Sequence, residues 1–382
     1  MALHPAAPAA KSSGAVNGHG RASSTRPLKT PGSSSGASHG SAVQRNVSDE
    51  FGVVVATQLN AGCMQITPTR FPGTPFIVSA FQHMGDRRTQ EDRFTVVPTL
   101  EPECRSPCAF FGVFDGTVGD FASDNVKDLV IPKLLESPNW RALRSSMVSP
   151  SRLGHDQERL LELALKDMYR TVDESLLVRC SKEAKHYATC TSVTLMVVGD
   201  VIAVGHLGDS RIILGKESTD GPTRGELIGE QLTMDHKPDL EAERMRIEKC
   251  GGMVERLQYH NNKPFIRGGD FMMRKALGEQ PMQLQYSRAF GAKDLKIFGL
   301  SNIPDIKFIR MGSPSYQHVR FAILASDGLW DVISSQQAVM TAQQAVQSDE
   351  NPAEALVRSA LLEQSRRKAR ADNITAICIQ FD

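Results

Sequence analysis

Short runs of apolar and β-branched residues punctuate the chain at 76–81, 109–114, 192–198, 201–206, 211–214, 321–326 and 374–381. Runs of this length, bounded by turn-forming residues, predict strands. The two runs at 192–198 and 201–206 are separated by Gly199-Asp200, a strong hairpin signal. Between the strands the period shifts to three and four. Leu161, Ala164, Leu165, Met168, Val172 and Leu176 fall on one helical face, and Phe121, Val126, Leu129, Val130 and Leu134 on another. Two further helical stretches, 338–346 and 353–362, precede the last strand. The segment 240–249 is helical in pattern, and Cys250-Gly251-Gly252 reads as its C-cap. Hairpins mixed with paired helices predict an α+β layered domain rather than an alternating parallel sheet.

Residues 1–48 differ from the rest. They are rich in Ala, Ser, Gly and Pro, carry Lys11, Arg21, Arg26, Lys29 and Arg45, and have no acid before Asp49. Such a segment buries too little apolar surface to offset its ordering entropy, so it is expected to be a disordered tail ahead of one domain spanning 53–382. Thr30-Pro31 in it is either a phosphorylation site or a chance pair in a solvated tail.

With 44 Lys and Arg against 43 Asp and Glu, the net charge is +1, which argues against a dedicated nucleic-acid binder. The seven cysteines show no repeated spacing, so reduced thiols and a cytoplasmic or nuclear location are expected. No apolar run reaches the ~18 residues of a membrane span. The first residues form no apolar signal core, and Ala2 stands where N-myristoylation would need a glycine.

The chemistry lies in what borders the strands. The 109–114 run enters Asp115-Gly116, the 201–206 run is followed by Gly208-Asp209, and the 321–326 run ends at Asp327-Gly328. Asp372-Asn373 opens the last strand, and Glu91-Asp92 lies past the first. One Asp-Gly after a strand is ordinarily a turn. Five acidic steps in one domain, with no matching basic cluster, point instead to a shared cation. Oxygen-only ligands suit Mg²⁺ or Mn²⁺. The histidines have no zinc-hydrolase spacing, and no phosphate-binding Gly-x4-Gly-Lys loop is present. Cys250 to Arg256 fits the bare C-x5-R pattern of a cysteine phosphatase, but its cysteine closes a helix instead of following a strand.

The ordered set of motifs resembles the metal-dependent protein phosphatases, protein phosphatase type 2C. They are Gly85-Asp86-Arg87-Arg88-Thr89-Gln90-Glu91-Asp92, Phe110-Phe111-Gly112-Val113-Phe114-Asp115-Gly116, Thr189-Cys190-Thr191-Ser192 and Val204-Gly205-His206-Leu207-Gly208-Asp209-Ser210-Arg211. Leu232-Thr233-Met234-Asp235-His236-Lys237-Pro238, Gly251-Gly252-Met253-Val254 and Ser287-Arg288-Ala289-Phe290-Gly291 follow. The series ends with Leu324-Ala325-Ser326-Asp327-Gly328-Leu329-Trp330-Asp331-Val332 and Ala371-Asp372-Asn373-Ile374-Thr375. The resemblance implies a β-sandwich of two antiparallel sheets flanked by antiparallel helix pairs. It implies a monomeric phosphoserine/phosphothreonine phosphatase acting on phosphoproteins, with two or three Mg²⁺ or Mn²⁺ ions. Asp115 would bridge two metals, Gly116 would offer its carbonyl and Glu91 would bind through water. Asp327 and Asp372 would complete the shell, Asp92 would orient it, and Asp209 with Asp331 would serve a weaker third ion. Arg87 would clamp the substrate phosphate.

The chain departs from the family where His-Gly usually follows Asp-Gly: here Thr117-Val118 stands, leaving Thr117 in the place of a general acid. Ser287-Arg288-Ala289-Phe290-Gly291-Ala292 also lacks the family's closing acid. An inactive pseudophosphatase acting as a binding module is the rival reading, against which stands the retained carboxylate set. A histidine-using metallophosphatase would need Gly-Asn-His-Glu and Gly-Asp-x-His-Gly steps that are absent. The stretch 255–286 carries Lys263, Arg267, Arg274 and Lys275 and is either a basic substrate-selecting flap or a solvated loop. His236 and Lys237 are expected to be structural at the start of a helix beginning at Pro238, Trp330 to be core, and Arg288 to pair with a buried acid.

Overall fold

The computed structural model describes residues 52–382 apart from 102–106, 148–151, 219–224, 259–261, 270, 279–281 and 317. The expected tail at 1–48, with Thr30-Pro31, lies outside the described residues, as does Cys104.

Two antiparallel sheets form the centre. One has seven strands, in the order Thr57–Asn60, Cys63–Arg70, Phe76–His83, Ile374–Phe381, Val319–Ala325, Arg211–Glu217 and Leu227–Gln231. The other has five, in the order Asp305–Arg310, Val201–Leu207, Ser192–Val198, Cys108–Phe114 and Arg93–Val97. Because side chains alternate faces along a strand, the unbroken apolar runs of the sequence serve two cores at once. Phe111, Val113, Val193, Leu195 and Val204 turn toward Val78, Ala80, Ile212, Leu324 and Ile377 in the core shared by the two sheets. Their neighbours Phe110, Phe114, Met196 and Leu207 face the other way, onto Val126, Leu161, Leu165 and Met168 of helices Phe121–Glu136 and His155–Lys182. Across the seven-stranded sheet, Ile323, Ala376 and Cys378 pack on Ala338, Ala342, Leu356 and Val357 of helices Ser335–Gln347 and Pro352–Arg366. Each fully buried Val, Leu, Ile, Phe or Met among these contributes about 1.5–3 kcal/mol. The result is the expected α+β sandwich flanked by helices.

The sequence pattern missed the strands whose residues are poorly buried. Thr57–Asn60 is exposed throughout, and Met253–Leu257 is exposed or half-buried. The latter pairs with Lys263–Arg267, which pairs with Gln283–Leu284, so the 255–286 stretch contains two strands of a three-stranded sheet. The helix expected from Pro238 begins instead at Glu241, since Lys237–Leu240 is a turn closed by the Leu240 amide on the Lys237 carbonyl at 3.1 Å. Its end is as expected. Gly251 has φ +77°, and the Gly252 amide donates to the Ile247 carbonyl at 2.9 Å. Trp330 is core, 5% exposed, with Nε1 donating to the Ala325 carbonyl. The six cysteines among the described residues form no disulfide with one another. No helix among the described residues is long and apolar enough to cross a membrane.

Candidate active site

Antiparallel pairing gathers the acidic steps at one end of the sandwich. His83 pairs with Ile374 and Ala325 with both Ala376 and Arg211, so the segments carrying Glu91, Asp372, Asp327 and Asp209 meet there. In the other sheet Val113 pairs with Val193 and Ser192 with Leu207, bringing Asp115 to the same end. The loop from Gly85 to Glu91 is fastened by Asn373. Its Nδ2 donates to the carbonyls of Met84 (2.8 Å) and Thr89 (3.1 Å), and its Oδ1 accepts from the Glu91 amide (2.8 Å). Two glycines permit the close approach. A Cβ on Gly116 would stand 2.4 Å from the Glu91 carbonyl oxygen, and one on Gly328 would stand 2.1 Å from that of Asn373.

These segments enclose a cavity of about 340 Å³. Glu91, Asp115, Asp209, Asp327 and Asp372 all line it, together with Arg87, Gly116 and Thr117. Two expected ligands do not. Asp92 lies 1% exposed outside the lining, its Oδ2 accepting from Ser326 Oγ at 2.8 Å. Burial drives its carboxyl upward, which the Ser326 hydrogen bond partly offsets. Asp331 is exposed and bound by Lys263 at 3.1 Å.

The acids divide by how their charge is met. Asp372 is paired with Arg87 at 2.6 Å and Asp209 with Lys237 at 2.5 Å. Burial opposes the Lys237 charge, yet Asp209 beside it holds the ammonium above its usual range. Glu91 accepts from Thr89 Oγ1 and the Gly119 amide. Asp115 and Asp327 form no ion pair among the described residues, although the Lys237 ammonium lies near enough to Asp327 to favour its charged form. Burial pushes both carboxyls well above the usual range, and nearby carboxylates, Asp209 and Asp372 among them, push further. Carboxylates that outnumber the bases at one cavity fit hard divalent cations with oxygen ligands, and Asp115, Asp327, Asp372 and Glu91 could hold them, with Gly116 beside them in the lining.

A second cluster, His206, His236 and Asp305, has potential ligand atoms within 4.8 Å of one another. Its hydrogen bonds give it another task. His236 Nδ1 accepts from the Gly208 amide (3.0 Å), so Nε2 carries the proton and donates to Asp305 at 3.1 Å. His206 Nε2 meets the Gly208 carbonyl at 2.9 Å, and the two rings stack at 4.2 Å. Arg288 already neutralises Asp305 (2.8 Å) and also grips buried Glu243 (2.6 Å). The network braces the Gly208-Asp209 turn, which accounts for His236 and Arg288 structurally.

The 255–286 stretch supplies a wall of the cavity through Phe265, Gln283, Leu284, Gln285 and Tyr286, all uncharged. Its bases look elsewhere. Lys263 binds Asp331, Arg267 binds Glu255, and Arg274 meets Tyr187. Sequence reasoning had no signal for Asn373 as the fastener of the loop, nor for Tyr286, whose Oη donates to Thr117 Oγ1 at 2.9 Å.

The family model of protein phosphatase 2C matches residues 78–374. A probable protein phosphatase 2C 48 of Oryza sativa subsp. japonica is 31% identical over 290 residues, covering 73% of this chain and 76% of its own length. A probable protein phosphatase 2C 34 of Arabidopsis thaliana is 30% identical, with 81% and 82% covered. The crystal structure of a serine-threonine phosphatase 2C from Toxoplasma gondii is 50% identical and superimposes with a TM-score of 0.76, covering 85% of this chain and all of the other. With the sandwich and the carboxylate-lined cavity, these likenesses place the chain in the protein phosphatase 2C family, the metal-dependent protein serine/threonine phosphatases.

Proposed function

We propose that the chain is an active enzyme that hydrolyses phosphoserine and phosphothreonine in proteins, with Mg²⁺ or Mn²⁺ held by Asp115, Asp327, Asp372, Glu91 and the Gly116 carbonyl. The observation that carries the reading is the gathering of five carboxylates on one cavity with Arg87, two of which, Asp115 and Asp327, form no ion pair among the described residues. Bound cations would offset that charge and make a water nucleophilic near neutral pH. Arg87 uses one N–H on Asp372, which leaves further donors for phosphate oxygens in the bidentate manner suited to a guanidinium. Asp92 supports the site through Ser326, the residue next to Asp327. Asp209, tied to Lys237, supplies a weaker position that a third cation reaches only by displacing an ammonium. Asp331 stands in the same relation to Lys263.

The test is hydrolysis of a phosphothreonine peptide with Mg²⁺ or Mn²⁺ against the same protein with chelator. Activity is expected at roughly millimolar metal, the weak end of carboxylate sites. Asp115→Asn and Asp327→Asn should abolish it while thermal unfolding stays cooperative. Arg87→Ala should raise KM for phosphopeptides severalfold and leave calorimetric metal affinity nearly unchanged. Full turnover in either Asn variant would refute the ligand assignment. A folded, cation-binding protein that hydrolyses nothing would favour the pseudophosphatase.

A further inference from the structure

Breaking the bond from phosphorus to a serine or threonine oxygen builds negative charge on a poor leaving group, and a donor aimed at that oxygen lowers the barrier. Among the described residues lining the cavity there is no histidine, lysine or cysteine, and the only hydroxyls belong to Thr117 and Tyr286. These two touch each other, although 169 residues separate them. We propose that Tyr286 is a positioning residue that orients the Thr117 hydroxyl as a hydrogen-bond donor to the leaving-group oxygen. This rests on the phosphatase reading above and extends it to the departing side chain.

A threonine hydroxyl has one proton and can also accept. Tyr286 Oη donates to Thr117 Oγ1 at 2.9 Å, so the Thr117 proton must point elsewhere. No hydrogen bond takes it up among the described residues, and Thr117 lines the cavity. Both partners are held. Gly116-Thr117 forms a short ladder with Thr189-Cys190, placing Thr117 opposite Thr189. Cys190 in turn pairs with Phe290. Tyr286 is 5% exposed, and the next residue is pinned, its amide donating to the His236 carbonyl at 2.8 Å and its hydroxyl to Glu243. The phenol, which also neighbours the Thr189 hydroxyl, occupies one lone pair of Thr117 and so turns the Thr117 hydrogen away from itself.

No covalent step passes through either side chain. Water adds to phosphorus, the bond to the leaving oxygen breaks, and the proton that completes the alcohol comes from water. Thr117 keeps its proton and stabilises the developing alkoxide through the hydrogen bond.

The test compares a phosphothreonine peptide with p-nitrophenyl phosphate, whose leaving group needs no such help. Thr117→Val should lower kcat on the peptide by about 10²-fold, the lower end for one oriented donor. Tyr286→Phe should lower it by about 10-fold, with KM, melting temperature and calorimetric Mn²⁺ binding near those of the wild type. Both variants should lose less than about 3-fold on p-nitrophenyl phosphate. Thr117→Ser should retain most peptide activity, and the double variant should be no worse than Thr117→Val alone, because the phenol acts only through that hydroxyl. Equal losses on the two substrates, additive losses in the double variant, or an undiminished Tyr286→Phe would each overturn the assignment. Wild-type protein inert on both substrates would instead refute the phosphatase reading on which it rests.

Discussion

Replacing Glu243 by Gln removes one negative charge from a site where the residue is only 3% exposed and keeps the side chain's shape. Burial by itself would raise this carboxyl. Hydrogen bonds from Arg246, Arg288 and Ser287 outweigh it and bring the group down to about 2, against an ordinary 4.5. At ~1.4 kcal/mol per pH unit, that difference is worth about 3 kcal/mol of folding stability near neutrality. An independent estimate agrees, since removing one partner of a buried ion pair costs about 3–5 kcal/mol. With roughly 330 folded residues and ~2.1 cal/mol/K each, the melting temperature should fall by roughly 4–5 °C. The sign with pH follows from the lowered carboxyl. Its contribution is fully present above the unfolded value of 4.5 and is lost as pH falls through about 2 in the fold. Urea unfolding of wild type and Glu243→Gln at pH 7, 4 and 3 should therefore show a gap of about 3 kcal/mol that narrows steadily toward acid. Other carboxylates titrate in both proteins and cancel in the difference. A gap below about 1 kcal/mol at pH 7, or one that does not change with pH, would refute the view that Arg246 and Arg288 are held by this charge.

Gly328→Ala places a Cβ 2.1 Å from the Asn373 carbonyl oxygen, a backbone atom that cannot rotate away. It should cost about 1–3 kcal/mol by thermal unfolding and weaken Mn²⁺ binding, because Asn373 also holds the Glu91 loop; an unchanged melt would count against it. Lys237→Met frees Asp209 from its ammonium and should tighten the weakest calorimetric cation site severalfold. Unchanged or weaker binding would remove Asp209 from the ligand set.

How much of this could be read along the chain depended on burial from both sides. Strands such as Cys108–Phe114 and Ser192–Val198 have every residue buried, so their composition announced them. Cys63–Arg70 has two buried residues in eight and Leu227–Gln231 one in five, so neither left a distinct apolar run. The positions of the acids were legible because each borders a strand or its turn, and antiparallel pairing then leaves those ends little choice but to meet. Which acids go without a counter-charge was not legible. Arg87 reaches Asp372 from 285 residues away, Lys263 reaches Asp331 across 68, and Lys237 reaches Asp209 across 28. No local pattern encodes such partners. The same holds for Thr117, which in sequence is only a weak acid standing where a strong one is expected. Its hydroxyl accepts a hydrogen bond from Tyr286, 169 residues away along the chain. Ligand type is thus a local property of strand ends, while residual charge is a tertiary one. Asp115 and Asp327, which no ion pair among the described residues meets, set this cluster apart from acidic turns whose charge the fold has already paired.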